Sequence, residues 1–160
     1  MPTGEISTTP IVHDALARGK TVFVPYLHRK EKRNDTEPAS VMDMLKLHSV
    51  KDFESLKSDN WGIPTFSDDT IHERENSIGG HGVEDGRRSV WNGGLDLILM
   101  PGMAFDGDIR RLGHGKGYYD YFLHKYQKVA QEQSTKTNPK GHFKPILSKL
   151  EVKLLDGIPS

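Results

Sequence analysis

A chain of 160 residues is long enough to bury one hydrophobic core, and we predict a single domain over residues 1–160. Lysine plus arginine and aspartate plus glutamate number 22 each, so the net charge does not indicate a nucleic acid or membrane partner. The sequence has no cysteine, which excludes disulfides, thiolate metal sites and a cysteine nucleophile. The first residues lack a signal-peptide pattern, and we expect a cytoplasmic protein, with a mitochondrial location as the open alternative.

The chain begins with a pattern typical of a helix followed by a buried strand. Thr9 can cap the helix, Pro10 suits its first turn, and Gly19 suits its C-terminal stop. The next residues, Thr21 to Tyr26, are β-branched and apolar, which predicts a buried strand. A helix followed directly by such a strand is typical of the second half of a βαβ unit, whose first strand would precede residue 1, and therefore of a parallel sheet.

The middle of the chain contains a weaker strand and a polar stretch. Residues 41–48 could form a strand, although their apolar residues alternate poorly. Residues 67–89 are polar and glycine-rich, and we predict an exposed, mobile insertion there. Leu95 to Met100 is a nearly continuous aliphatic run ended by Pro101-Gly102, which predicts a strand inside a parallel sheet that is covered on both faces.

The last part of the chain is predicted to contain one amphipathic helix. Its apolar positions recur at helical spacing and are Tyr119, Phe122, Leu123, Tyr126 and Val129. We predict a loop over residues 131–141 and the start of a strand at 144–147, which the following residues do not continue cleanly. These elements predict an α/β fold: a three-layer αβα sandwich with a mostly parallel central sheet, Rossmann-like.

The glycine-rich segment that follows Leu95 to Met100 predicts an anion site. It lies between a predicted parallel strand and a helix, which is where open α/β sheets bind ligands. Arg110, Arg111 and Lys116 supply positive charge, and helix N–H groups favour a phosphate. Neither a Walker A loop nor a dinucleotide fingerprint fits the spacing of its glycines. Phosphate binding is favoured over a plain glycine-rich connection.

Four side chains of this segment have two interpretations each. Asp120 either complements the helix dipole or ligates Mg²⁺ on a bound phosphate. Tyr118 and Tyr119 are either core aromatics or stacking surfaces for a flat ligand, and Tyr118 is the better ligand candidate because Tyr119 fits the apolar stripe. A loop histidine such as His114 is more often solvent-facing than catalytic.

The same segment resembles the 5-formyltetrahydrofolate cyclo-ligase family. In that family a strand ending in Pro-Gly precedes Ala-Phe-Asp and then Arg-Leu-Gly-Arg-Gly-x-Gly-Tyr-Tyr-Asp, and the matching stretches here are Pro101-Gly102, Ala104-Phe105-Asp106 and RLGHGKGYYD from Arg111 to Asp120. His114 stands where the family usually has arginine. Weaker similarity covers residues 1–12, where Glu5 matches a folate-contacting glutamate, and residues 60–64, which include Trp61.

The resemblance implies an enzyme that uses ATP and Mg²⁺ to cyclise 5-formyltetrahydrofolate to 5,10-methenyltetrahydrofolate, with release of ADP and phosphate. It implies catalytic roles for Lys116 and Tyr118 and a metal-ligand role for Asp120. The implied ATP-binding residues are Arg111, Leu112, Gly113, His114, Gly115, Lys116, Gly117, Tyr118 and Tyr119. The implied folate-binding residues are Glu5, Trp61, His114, Gly115, Lys116, Gly117 and Tyr118. Its partners would be these small molecules only, and the protein would be a monomer.

Alternatives to a fully active enzyme stay open at this stage. Relative to the family pattern, the sequence begins after a basic helix and the first strand, and it departs from the pattern after Leu147. A non-catalytic fragment that binds nucleotide or folate is one alternative, and an unstable fragment is another. We expect at most weak cyclo-ligase activity from these 160 residues.

Overall fold

The computed structural model describes residues 7–29, 40–59, 63–83, 94–108, 110–113, 115–137 and 151–154. Helices and short strands alternate in these segments, which confirms the α/β class. The chain divides into two compact units, residues 1–92 and residues 93–160. The single domain over 1–160 stays a prediction. No helix in the described part of the chain is long and apolar enough to cross a lipid bilayer.

The described residues of the first unit form two α-helices and two antiparallel strand pairs. Its elements are α1 (Thr9–Ala17), β1 (Phe23–Arg29), β2 (Ser40–Lys46), α2 (Val50–Glu54), β3 (Lys57–Ser58), β4 (Pro64–Thr65) and a 3₁₀ turn at Ile71–Glu73. Thr8, rather than Thr9, is the N-cap residue of α1, and its side chain makes no capping hydrogen bond. Gly19 follows the helix with φ 69°, the left-handed conformation that favours glycine at a helix end.

The parallel partner in the predicted βαβ unit would precede residue 1, so that unit stays a prediction, and the pairing that the structure describes for β1 is antiparallel. β1 pairs with β2 in antiparallel register, with Tyr26 opposite Asp43. Residues 30–39 separate the two strands. A parallel crossover needs about a dozen residues or more, so a connection of this length favours an antiparallel pair.

The prediction of an exposed insertion is wrong for part of residues 67–89. Arg74, Ser77, Ile78 and Gly82 are buried, and residues 84–89 lie outside the described segments. The backbone explains the burial, because Ser77 N–H donates to the Met44 carbonyl at 2.9 Å and so lays this stretch along β2. A sequence of polar residues and glycines can therefore pack closely when its backbone extends the edge of a strand.

The first unit has a small apolar core between its strand pair and its helices. The fully or nearly buried members are Tyr26, Leu45, Leu47 and Phe66. Partly buried residues from α1, such as Val12 and Leu16, pack against them. The side of α1 that carries Val12 and Leu16 therefore faces this core.

In the second unit, the residues that the structure describes form a parallel strand pair, a short hairpin and one long helix. Its elements are β5 (Leu97–Met100), β6 (Ala104–Phe105), β7 (Arg111–Leu112), α3 (Tyr118–Thr137) and β8 (Glu151–Leu154). The buried residues of β5 and α3 are Ile98, Met100, Phe122, Tyr126, Val129 and Ala130. The backbone N–H of Leu95 donates to the Tyr126 hydroxyl at 2.5 Å and so ties α3 to the approach to β5.

The position of β5 differs from the prediction of an interior strand. It pairs with β8 in parallel register, with Leu97 opposite Glu151, and this is its one strand neighbour among the described residues. Leu97 is 45% exposed, as an edge position allows. All sheets in the described segments are two-stranded, so a three-layer parallel sandwich is not seen there.

Two predicted boundaries near the end of the chain also differ. The predicted loop 131–141 is wrong for its first part, because α3 continues to Thr137. Residues 131–137 contain neither glycine nor proline, and Gln, Glu and Lys favour a helix; Pro139 comes only after it. Glu151–Leu154 forms a strand that the sequence did not predict, whereas residues 144–147 lie outside the described segments.

Candidate functional site

The candidate site lies where β5 is connected to α3. The connection includes the hairpin of β6 and β7, and its turn is organised by Asp106. The carboxylate of Asp106 accepts hydrogen bonds from the backbone N–H of Asp108 at 3.0 Å and of Arg110 at 2.9 Å. Aspartate before glycine is typical of such a turn. The backbone hydrogen bond from Arg110 is the largest of the effects that lower the pKa of Asp106.

The two neighbouring arginines of this hairpin have different surroundings. The Arg110 guanidinium donates to Asp106 at 2.7 Å and to Asp108 at 2.9 Å, on the exposed surface. Its positive charge is therefore compensated by two carboxylates within the turn itself. Arg110 stabilises the hairpin, and it is the weaker candidate for contact with an anionic ligand.

Arg111 is held in place from several sides. Its Nη1 donates to the Pro101 carbonyl at 2.9 Å, and its Nη2 donates to Oδ1 of Asp120 at 3.2 Å. The Cζ atom lies 5.6 Å from the centroid of the Tyr119 ring, within the range of a cation–π contact. The Arg111 side chain is only 13% exposed. A guanidinium fixed in this way is suited to bidentate phosphate contact with little further loss of side-chain entropy.

Gly113 is required for this arrangement because of space. A Cβ atom at this position would lie 2.9 Å from Nη1 of Arg111, closer than real Cβ atoms come to any neighbour. Gly115 and Gly117 have another role, since their φ angles of 78° and 67° are left-handed while the space around them is open. The glycines of the loop therefore serve two purposes, one steric and one conformational.

Lys116 and Asp120 lie at the surface near the start of α3. Lys116 is exposed and makes no hydrogen bond or ion pair with the part of the chain that the structure describes. The Asp120 side chain is 72% exposed. The cations Arg110, Arg111 and Lys116 equal the carboxylates Asp106, Asp108 and Asp120 in number, so these six side chains have no net charge. The attraction for an anion is therefore local, and it comes from Lys116, the Arg111 guanidinium and the first N–H groups of α3.

The structure brings together only part of the predicted site. Arg111, Tyr119 and Asp120 are in direct contact, and Tyr118 is half-buried at the start of α3. The site predictions for Glu5, Trp61 and His114 fall outside the described residues. They stay predictions, as do all the proposed ligand contacts.

Sequence reasoning missed three contributions to this site. The turn formed by Asp106 had a recognisable pattern, an Asp-Gly pair followed by a second aspartate. The Pro101 carbonyl and the Arg111–Asp120 pair had none, because both depend on how far apart residues come together in the fold.

Comparison with known proteins identifies sequence relatives of this chain. Residues 1–138 match the sequence profile of the 5-formyltetrahydrofolate cyclo-ligase family. A probable 5-formyltetrahydrofolate cyclo-ligase of Caenorhabditis elegans is 36% identical over 138 residues, which cover 84% of this chain and 54% of the worm protein. The Mus musculus 5-formyltetrahydrofolate cyclo-ligase is 32% identical over 132 residues, or 82% of this chain and 53% of the mouse protein. The chain thus spans about half the length of these two curated relatives.

A bacterial relative matches over a longer stretch. The 5-formyltetrahydrofolate cyclo-ligase of Escherichia coli K12 is 28% identical over 161 aligned positions, which cover 96% of this chain and 68% of that protein. The similarity therefore extends well beyond the glycine-rich loop.

Proposed function

Because the chain belongs to the 5-formyltetrahydrofolate cyclo-ligase family, we propose that it acts in the ATP-dependent cyclisation of 5-formyltetrahydrofolate to 5,10-methenyltetrahydrofolate, with release of ADP and phosphate. The observation that carries the proposal is the fixed guanidinium of Arg111, held by Pro101, Tyr119 and Asp120 in the loop that also contains the exposed Lys116. This arrangement supports the binding of a triphosphate.

The proposed chemistry needs no protein nucleophile. The formyl oxygen attacks the γ-phosphorus of ATP and ADP leaves, which converts a poor leaving group into a phosphate ester. N10 then attacks the formyl carbon and loses its proton, and the C–O bond breaks as phosphate leaves. The protein's task is to position the two substrates and to compensate the negative charge of the triphosphate. The absence of cysteine is compatible with this route.

Each proposed residue has a defined task in this scheme. Arg111 binds phosphate oxygens from a fixed position, whereas Lys116, which is exposed, can follow the transferred group as a mobile charge. Tyr118 offers a half-buried ring to the flat folate or to the nucleotide base. Glu5, Trp61 and His114 are proposed to contact substrate on the basis of the family resemblance.

The Asp120 carboxylate is suited to ligate a magnesium ion that is bound to a nucleotide. This carboxylate is exposed, and only one of its oxygens is hydrogen-bonded within the described residues. No group of three histidine, aspartate or glutamate side chains suited to a metal occurs in those segments, so Asp120 would act with phosphate oxygens. When bound, the ion would compensate charge on the phosphates.

The remaining parts of the proposal concern the setting of this site. We propose a monomeric, cytoplasmic protein with these small molecules as its only partners. The mostly parallel, three-layer sheet expected from the sequence stays a proposal, since β5–β8 is the one parallel pair among the described strands and the other three pairs are antiparallel.

The proposal is tested first by turnover. The purified 160-residue chain is incubated with ATP, Mg²⁺ and 5-formyltetrahydrofolate, and the absorbance of methenyltetrahydrofolate is followed. ATP-dependent product formation is the expected result. Binding of ATP without product would instead favour a non-catalytic nucleotide-binding protein.

Calorimetry of ATP binding tests the phosphate site itself. We expect Arg111→Ala to weaken ATP binding by roughly tenfold or more, because a charge-assisted contact is lost. Arg110→Ala is the matched control, since this neighbouring guanidinium is already occupied by Asp106 and Asp108. Equal affinities for the parent and Arg111→Ala would show that the phosphate assignment is wrong.

A further inference from the structure

Two residues with separate proposed roles are bonded to each other in the ligand-free protein. Arg111, the proposed phosphate ligand, donates from Nη2 to Oδ1 of Asp120, the proposed metal ligand, at 3.2 Å. Each side chain therefore uses, for the other, an atom with which it would bind its proposed ligand. A nucleotide that arrives must compete with Asp120 for Arg111.

The two members of this pair are not equally free to move. Arg111 is held by the Pro101 carbonyl and lies over the Tyr119 ring, and the missing Cβ of Gly113 leaves its guanidinium just enough room. The Asp120 side chain is 72% exposed, whereas that of Arg111 is 13% exposed. The carboxylate is therefore the partner that can turn away while the guanidinium stays in place.

We propose that Asp120 is the temporary counter-ion of Arg111, and that its exchange from Arg111 to Mg²⁺ couples metal binding to triphosphate binding. This inference rests on the proposed function. Without metal, Asp120 both competes for Nη2 of Arg111 and repels the phosphates. When Mg²⁺ is bound, the ion compensates the charge of Asp120, and the Arg111 guanidinium becomes available to the phosphates. By linkage, each ligand strengthens the binding of the other.

The decisive measurement is the affinity for ATP with and without Mg²⁺, by calorimetry. In EDTA, we expect Asp120→Asn to bind ATP about threefold more tightly than the parent, the size typical of relieving an exposed charge pair. In Mg²⁺, the same variant should bind ATP roughly tenfold more weakly, because a charged ligand is lost. A higher ATP affinity of Asp120→Asn in EDTA, together with a lower ATP affinity in Mg²⁺, is the result expected from this exchange.

A matched control separates the exchange from a general change in charge. Asp108→Asn removes one negative charge from the same loop, but Asp108 pairs with Arg110 rather than with Arg111. We expect its effect on metal-free ATP affinity to be below about 1.5-fold, as for a screened surface charge. An equal gain from Asp108→Asn would overturn the proposed exchange.

The second control is a double-mutant cycle. In an Arg111→Ala background, the gain from Asp120→Asn in EDTA should largely disappear, because the competition for the guanidinium no longer exists. A gain that persists unchanged would reduce the role of Asp120 to simple repulsion and overturn the inference. Absence of ATP binding by the parent would overturn the proposed function together with the inference, whereas ATP binding without this coupling would overturn the inference alone.

Discussion

Each unit contains an arginine paired with an aspartate, and the two pairs differ in a way that separates stability from ligand binding. In the first unit, Arg74 donates two hydrogen bonds to Asp52, each at 2.7 Å, and its Cζ lies 4.0 Å from the centroid of the Phe66 ring. In the second unit, Arg111 makes one hydrogen bond to Asp120 at 3.2 Å. Arg74 and Asp52 are both enclosed, with side-chain exposures of 7% and 15%, whereas Asp120 is 72% exposed.

The two aspartates are held to different degrees, and this explains why one pair serves stability and the other ligand binding. Asp52 is itself fixed, because it accepts from the backbone N–H of His48 and its own N–H donates to the Ser49 hydroxyl. The hydrogen bonds from Arg74 are the largest of the effects on the Asp52 carboxyl, and its pKa is lowered. An enclosed two-bond pair cannot exchange partners without a large loss, whereas a single bond to an exposed carboxylate can.

Removing the enclosed arginine should have the largest effect on stability. We expect Arg74→Ala to lower the free energy of unfolding by about 3 kcal/mol, because the Asp52 charge remains without its partner. Urea unfolding followed by circular dichroism measures the change. Arg18→Ala is the control, since its pair with Asp14 is exposed on both sides and should contribute less than about 1 kcal/mol. Similar decreases in the free energy of unfolding for Arg74→Ala and Arg18→Ala would show that the enclosed pair is no more important for stability than the exposed one.

Disturbing the space around Arg111 should have an intermediate effect, on binding more than on stability. We expect Gly113→Ala to weaken ATP binding by about fivefold, because the added Cβ must displace the guanidinium. Gly107→Ala is the matched control, because a Cβ there has no neighbour within 4 Å and its backbone is not left-handed. The Gly113→Ala effect should vanish in an Arg111→Ala background, and its persistence there would point to backbone strain instead.

The last expected effect concerns the first unit and appears only at alkaline pH. Burial, followed by the hydrogen bond to Asp68, raises the pKa of Tyr26 from 10.0 to about 12. A pKa that is raised by folding contributes stability below the unfolded value, and this contribution is lost as pH rises from 10 towards 12. Relative to Tyr26→Phe, which has no hydroxyl to ionise, we expect the parent to lose about 1 kcal/mol by pH 11 and about 2 kcal/mol by pH 12.

Urea unfolding of both proteins at pH 9.5, 11 and 12 measures this difference. Parallel curves for the parent and Tyr26→Phe would show that the Tyr26 hydroxyl ionises as easily in the folded protein as in the unfolded chain. Because Tyr26 and Arg74 both lie in the first unit, this result and that of Arg74→Ala together report how strongly its buried polar groups contribute to stability.

Local patterns of the sequence determined a substantial part of this structure. The helical spacing of Phe122, Tyr126 and Val129 predicted the buried face of α3, because an α-helix repeats every 3.6 residues whatever surrounds it. The aliphatic run before Pro101 predicted a strand, and Gly19 predicted the end of α1. Glycines and cations between a strand and a helix predicted the place of the candidate site. Such features depend on a few neighbouring residues.

Tertiary structure alone decided which distant residues became partners. Nothing local shows that Arg74 would be enclosed by Asp52 and Phe66, so a polar, glycine-rich stretch was predicted to be exposed. In the same way, the motif predicted that Arg111 and Asp120 belong to one site, while only the fold placed the guanidinium beside that carboxylate and the Pro101 carbonyl. The physical reason is that burial and charge pairing depend on distances in space, which the order of residues along the chain does not contain.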